Sequence, residues 1–162
     1  MIEVKNISKR YRNTVLDDIS FTAEKGQCIG IIGANGCGKT TLLSIMAGVN
    51  KAQSRKIYYN NELADRKSVF KKYIAYVPQE NPLIDELTTK DNLLLWLGSN
   101  IMLLDEPGSA LDIYGKQEVN SYISNYVKNG GTVVMSTHDR DEIDLCTKLY
   151  KIEDGILKEC EG

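Results

Sequence analysis

The residues Gly33-Ala34-Asn35-Gly36-Cys37-Gly38-Lys39-Thr40 fit the pattern G-x-x-x-x-G-K-[ST], and no other stretch constrains the chain as strongly. They follow the apolar run Cys28-Ile29-Gly30-Ile31-Ile32 and lead into Thr41-Leu42-Leu43-Ser44-Ile45-Met46-Ala47, with Gly48 placed to stop a helix. A short, continuous apolar run suits a strand buried on both faces, as in a parallel sheet. Strand, glycine loop and helix, in that order, form the setting in which this pattern grips phosphate. Glycines let the backbone wrap an anion with its N–H groups turned inward, and the helix N-terminus adds partial positive charge.

From this the first set of candidate residues follows. Gly33, Asn35, Gly36, Cys37, Gly38 and Thr41 build the cradle. Lys39 reaches the β- and γ-phosphates as a point charge, and the Thr40 hydroxyl is positioned to ligate Mg²⁺. The expected ligands are ATP and Mg²⁺.

The rest of the chain reads as an α/β protein, a P-loop core with a mainly parallel central sheet, helices on both faces and an antiparallel β edge layer. Ile2–Val4 and Val15–Phe21 alternate like half-buried strands around a polar loop that carries Tyr11. Lys56–Tyr59 and Tyr73–Val77 are predicted strands, and Thr88 offers an N-cap for a helix over Asp91–Leu97. Ile101–Leu104 is a second fully apolar run. After Asp112 an amphipathic stretch carries Val119, Tyr122, Ile123, Tyr126 and Val127 on one stripe and ends at Gly130-Gly131. Thr132–Met135 is a buried strand, Arg140–Cys146 a short helix, and Lys148–Glu153 with Ile156–Lys158 a hairpin about Asp154-Gly155. The first two strands and this hairpin are expected to be the antiparallel additions.

With 162 residues the chain makes a single domain, 1–162, able to fold without staples. A net charge of -2 leaves no basic footprint for nucleic acid. Cys28, Cys37, Cys146 and Cys160 have neither CxxC nor metal-ligand spacing and are expected as free thiols. The start shows no apolar leader core, and no run approaches the roughly 20 apolar residues that span a bilayer. Membrane association is therefore expected only through a partner.

Two further constellations carry chemistry. Ile101-Met102-Leu103-Leu104-Asp105-Glu106 puts adjacent carboxylates at a strand's carboxyl end, where ligands sit in open α/β sheets. Asp105 would hold Mg²⁺, and Glu106 would polarise the attacking water as general base. Alone, such an ending is more often a solvated strand end; beside the glycine loop it points to phosphoryl chemistry. Met135-Ser136-Thr137-His138 ends another strand in the chain's one histidine, read as a hydrogen-bond donor to the same phosphate. Gln79, just past Tyr76-Val77-Pro78, is a candidate for bonding the metal or the water.

These residues, in this order, resemble the nucleotide-binding subunits of ABC transporters, from Met1 to about Leu97 and again from Ile101 to about Lys158. Gly33–Thr41 is similar to the family's Walker A loop, and Tyr76-Val77-Pro78-Gln79 to its Q-loop. Leu103-Leu104-Asp105-Glu106-Pro107 is similar to Walker B, Ser109-Ala110-Leu111-Asp112 to the D-loop, and Ser136-Thr137-His138-Asp139 to the switch histidine. The resemblance implies that Tyr11 stacks on adenine and that Glu106, His138 and Gln79 act in hydrolysis. It also implies a second nucleotide-binding subunit, a membrane-spanning permease, and a cytoplasmic location on the inner face of the plasma membrane.

The chain departs from the family in two places. Only 25 residues separate Gln79 from Asp105, so the helical subdomain and its LSGGQ-like signature are absent, and Gly98-Ser99-Asn100 joins Trp96-Leu97 directly to the next strand. That composition suits a short flexible joint left by an excision at 98–100. Arg55 stands where relatives tend to have glycine, and is strained if the backbone there needs φ > 0. Three readings follow: an ATPase that powers a transporter, a nucleotide-binding module that has lost turnover with its signature, and a soluble ABC ATPase of repair or translation. The third usually has two nucleotide domains in one chain, and this sequence carries one.

Overall fold

A computed structural model describes residues 1–65, 67–79 and 99–160 of the chain. Two sheets build it. The larger has six strands in the order β10-β9-β3-β8-β7-β6, namely β10 (Ile156–Cys160), β9 (Lys148–Glu153), β3 (Cys28–Ile32), β8 (Thr132–Ser136), β7 (Ile101–Asp105) and β6 (Ile74–Val77). Strands β9, β3, β8, β7 and β6 are mutually parallel, and β10 alone runs antiparallel to its neighbour. The smaller sheet is antiparallel, in the order β2-β1-β4-β5, from β1 (Ile2–Arg10), β2 (Thr14–Ala23), β4 (Ser54–Tyr59) and β5 (Glu62–Leu63).

The side-chain period of two sorts the central strands onto two cores. Ile29, Ile31, Ile101, Leu103 and Val134 face α1 (Lys39–Met46) and the antiparallel sheet. Met102, Leu104, Val133 and Met135 face α3 (Ile113–Lys128), which meets them with Val119 and Ile123. Helix α1 is thus sandwiched between two sheets, with Leu42, Leu43, Ile45 and Met46 all fully buried. Leu42→Ala is expected to destabilise the fold by about 2–5 kcal/mol, since rigid sheets on both sides cannot close the cavity; the denaturant midpoint measures it.

Several boundaries differ from the sequence reading for local reasons. Strand β1 continues past Val4 to Arg10, because a left-handed Asn6 (φ 53) absorbs an irregularity in the pairing that breaks the alternation. Tyr73 ends a short helix, α2 (Lys67–Tyr73), instead of starting a strand. Helix α4 (Arg140–Ile143) stops short of Cys146, as the chain turns to place the Thr147 N–H on the Cys28 carbonyl at 2.7 Å. The last hairpin turns at Asp154-Gly155, both with positive φ, but its first strand belongs to the parallel set.

Arg55 is not strained. It lies in β4 outside the left-handed region, its guanidinium 5.3 Å from the Phe70 ring and 3.5 Å from the Ile45 carbonyl at the end of α1. All four cysteines are free. The predicted helix over Asp91–Leu97 and residue 98 of the joint lie outside the described residues. Tyr126 donates to the Ser99 carbonyl at 2.6 Å, docking the chain just before β7. Among the described residues no helix is long and apolar enough to cross a membrane.

Candidate phosphate-binding site

Four strands that lie side by side, β3, β8, β7 and β6, deliver the site from their carboxyl ends. The loop after β3 turns into α1 through Gly36 and Gly38. Gly36 has φ 78 and open space around it, so the backbone conformation alone asks for glycine. Gly38 has φ 113, and a Cβ there would come within 2.9 Å of the Leu16 side chain, so both conformation and space exclude a larger residue.

Lys39 is buried to 6% exposure and spends its donors inward. Its ammonium lies 3.0 Å from the Gly33 carbonyl, 3.4 Å from that of Ala34 and 2.9 Å from His138 Nε2, with Glu106 Oε1 at 3.8 Å. Glu106 Oε1 is 3.3 Å from His138 Nε2, and its Oε2 accepts from the Gln79 amide at 2.9 Å. Lys39, His138, Glu106 and Gln79 therefore form one continuous polar chain across four strand ends. A cavity of about 350 Å³ opens in front of it, lined by Asn35, Gly36, Gly38, Lys39, Thr40, Thr41, Gln79 and Glu106.

Asp105 follows Ile101 and Leu103 in alternation, so its side chain falls on the face that carries α1. It is 1% exposed. One carboxylate oxygen accepts from the Ser136 hydroxyl at 2.5 Å, and the other, Oδ2, is buried with no hydrogen-bond partner among the described residues. Such an orphan acceptor costs about 1–3 kcal/mol unless something polar reaches it, and a hydrated divalent cation fits that demand. Burial, and then the Asp105 carboxylate, push the phenol of Tyr76 on neighbouring β6 up to about 12.

Glu106 takes φ 51, a left-handed conformation that costs a non-glycine residue about 1–2 kcal/mol. Its N–H is shared between the Ser136 carbonyl at 3.1 Å and the Ser136 hydroxyl at 3.0 Å, which holds the turn. The strained backbone aims the carboxylate at the cavity, away from the core.

A family model described as ABC transporter matches residues 16–141, more than half of the chain. The chain belongs to the ABC transporter family. Among its relatives are the sulfate/thiosulfate import ATP-binding protein CysA 2 of Rhizobium meliloti (strain 1021), 24% identical over 98% of this chain and 59% of the relative. The Fe(3+) ions import ATP-binding protein FbpC of Haemophilus influenzae (strain 86-028NP) is 26% identical over 97% and 61%. An uncharacterized ABC transporter ATP-binding protein, YybJ of Bacillus subtilis (strain 168), is 26% identical over 99% of this chain and 96% of its own. The chain spans about three fifths of the first of these curated relatives. The alignment to CysA 2 runs over 215 positions against the 162 residues of this chain, so that relative carries residues within the shared span that are absent here.

Solved ATP-binding cassettes share the fold. The cassette MJ0796 in a dimeric, post-hydrolysis state bound to ADP and Pi superposes with a TM-score of 0.82 at 19% identity, covering all of both chains. A nucleotide-free cassette from an ABC transporter gives 0.84 at 17% identity over 100% of this chain and 91% of its own.

Not every residue that the family resemblance nominates comes to the cavity. Tyr11 lies apart, 57% exposed, its hydroxyl accepting from the Asn50 amide at 2.8 Å and its ring 4.6 Å from the Lys9 ammonium. Gly33 contributes a carbonyl to Lys39, and Cys37 lines a second cavity of about 710 Å³ beside Val15 and Gly155. Ser136, which fastens both Asp105 and Glu106, had no role assigned from the sequence; its place two residues after Val134 on the α1 face was the available signal.

Proposed function

We propose that the chain binds Mg-ATP in the cavity ahead of Lys39. With an arm of the kind its relatives carry, the same core hydrolyses ATP to drive transport through a permease. The observation that carries this reading is the buried, unpartnered Asp105 Oδ2 on the face of α1, behind a glycine loop with its lysine at the cavity wall.

When bound, Mg²⁺ neutralises charge on the β- and γ-phosphates and fixes their geometry. Thr40 and Asp105 would hold it, with Gln79 reaching it or the water. Lys39 exchanges loop carbonyls for phosphate oxygens, to which its charge is better matched. Glu106 orients the attacking water and takes its proton, and His138 steadies the γ-phosphate by hydrogen bonding. The nucleoside extends toward the cavity lined by Val15 and Cys37, which shares Asn35 and Gly36 with the phosphate cavity. Stacking by Tyr11 would require its ring to leave Asn50.

Calorimetric titration tests the reading. ATP binds more tightly with Mg²⁺ than with a chelator present, and Asp105→Asn, which keeps an acceptor for Ser136, abolishes the difference. ATP binding indifferent to Mg²⁺ in the unaltered chain overturns it.

The residues missing relative to CysA 2 favour a second reading for this chain alone, a nucleotide-binding core without effective turnover, with the excision at 98–100. A second nucleotide-binding subunit and a permease at the inner face of the plasma membrane remain its proposed partners, both weakened. Sulfate or thiosulfate and ferric ions appear in the names of relatives of similar identity, so the cargo is set by the permease and not by this site.

A further inference from the structure

Glu142 is a carboxylate that the proposed chemistry does not use, yet it is 3% exposed and sits beside that chemistry. It stands three residues after Asp139, the N-cap of α4. The structure turns it inward, its carboxylate facing the Thr137 hydroxyl and the Gly108 backbone N–H across the cavity that all three residues line. The Thr137 oxygen in turn accepts from the Asp139 N–H at 2.9 Å, and Asp139 is paired with Lys116 of α3 at 2.7 Å. His138 is thus bracketed by two residues of one network. Glu106 and His138 line the same cavity of about 260 Å³ as Gly108, Lys116 and Glu142.

We infer that Glu142 is a positioning residue: by pinning Gly108, in the loop after β7, to Thr137, in the loop after β8, it sets Glu106 and His138 in register. A carboxylate suits the task because it has acceptors for donors from two loops at once and adds no donor of its own. Burial pushes the Glu142 carboxyl up, and the Thr137 hydroxyl and Gly108 N–H that face it favour its charged form. The fit is close from the other side too. A Cβ on Gly108 would come within 2.5 Å of Glu142 Oε1, and its next neighbour, Lys116 Cγ, stands at 3.4 Å. Gly108→Ala therefore attacks the same contact from the opposite loop. The positive φ of Glu106 gives the pin its purpose, since a strained turn holds its aim only when the chain on either side is fastened. Ser136 fastens it before, and Glu142 after.

The inference rests on the reading of Glu106 and His138 as the reacting pair, but its test needs no nucleotide. His138 is the one histidine, so its imidazole signals in NMR report this loop without ambiguity. Glu142→Ala shifts and broadens those signals and lowers hydrogen-exchange protection of the residue 108 amide by about tenfold or more. Gly108→Ala shifts the same signals, the double variant shifts them no further than either single change, and Glu142→Gln restores most of the parent spectrum. Asp144→Ala, an exposed acid at the end of the same helix, leaves them unmoved.

Parent-like His138 signals in Glu142→Ala, whatever the melting temperature, overturn the proposal, as do strictly additive effects of the two variants. Should Glu142→Ala not fold, Gly108→Ala against Glu142→Gln reads the same contact. Loss of Mg-ATP binding in Lys39→Ala depends only on the site reading, so its failure is separable from this one.

Discussion

Steady-state ATP turnover by this chain is expected to fall about 10³–10⁵-fold below that of an intact nucleotide-binding subunit, the range a donor supplied across an interface is worth in P-loop enzymes. Lys39, His138, Glu106 and Gln79 form one continuous chain of contacts, so the expected deficit has a source other than the loss of the proposed base or lysine. It comes from the signature segment, which the resemblance places on the arm that closes over a partner's ATP. Between Gln79 and Asp105 the sequence has no such segment. Phosphate release assayed on the purified chain measures the effect. A rate like that of an intact transporter subunit, with no partner added, would show that the cavity completes its own transition state.

Lys39→Ala is expected to weaken Mg-ATP binding by about 100-fold, the equivalent of roughly 3 kcal/mol for losing a charged donor from a phosphate site. The ammonium is 6% exposed and already surrounded by the Gly33 and Ala34 carbonyls, His138 and Glu106, so no other cation of the loop stands ready to replace it. Titration calorimetry gives the affinity, and a thermal melt shows whether the variant stays folded. An unchanged Kd in a folded Lys39→Ala protein means that the phosphates lie elsewhere, and the site assignment goes with it.

The elements of the fold could be read where local chemistry spoke clearly. The apolar runs of β3, β7 and β8 and the stripe of α3 between Asp112 and Gly130 stand in the structure where periodicity put them. Elements failed where pattern and structure part company. Asn6 interrupts the alternation of β1 with a left-handed residue, and α2 is too short to show a helical period. The site was legible to a similar degree. Motif and strand-end position nominated Lys39, Asp105, Glu106, His138 and Gln79, but Ser136 was marked only as part of the stretch that ends in His138, and its hold on Asp105 and Glu106 is visible only through the atoms it touches.

By itself the sequence determined that a glycine-rich loop would join a buried strand to a helix, the arrangement expected to cradle phosphate, because backbone conformation and helix polarity depend on neighbours in the chain. Only the tertiary structure decided that β8 runs between β3 and β7, which sets His138 between Lys39 and Glu106 instead of beyond them. Strand order is a choice among non-local pairings between stretches of similar apolar composition, and no local signal distinguishes them. The same holds for Tyr11, whose resting place against Asn50 is settled by the packing of the β1–β2 turn on the segment after α1.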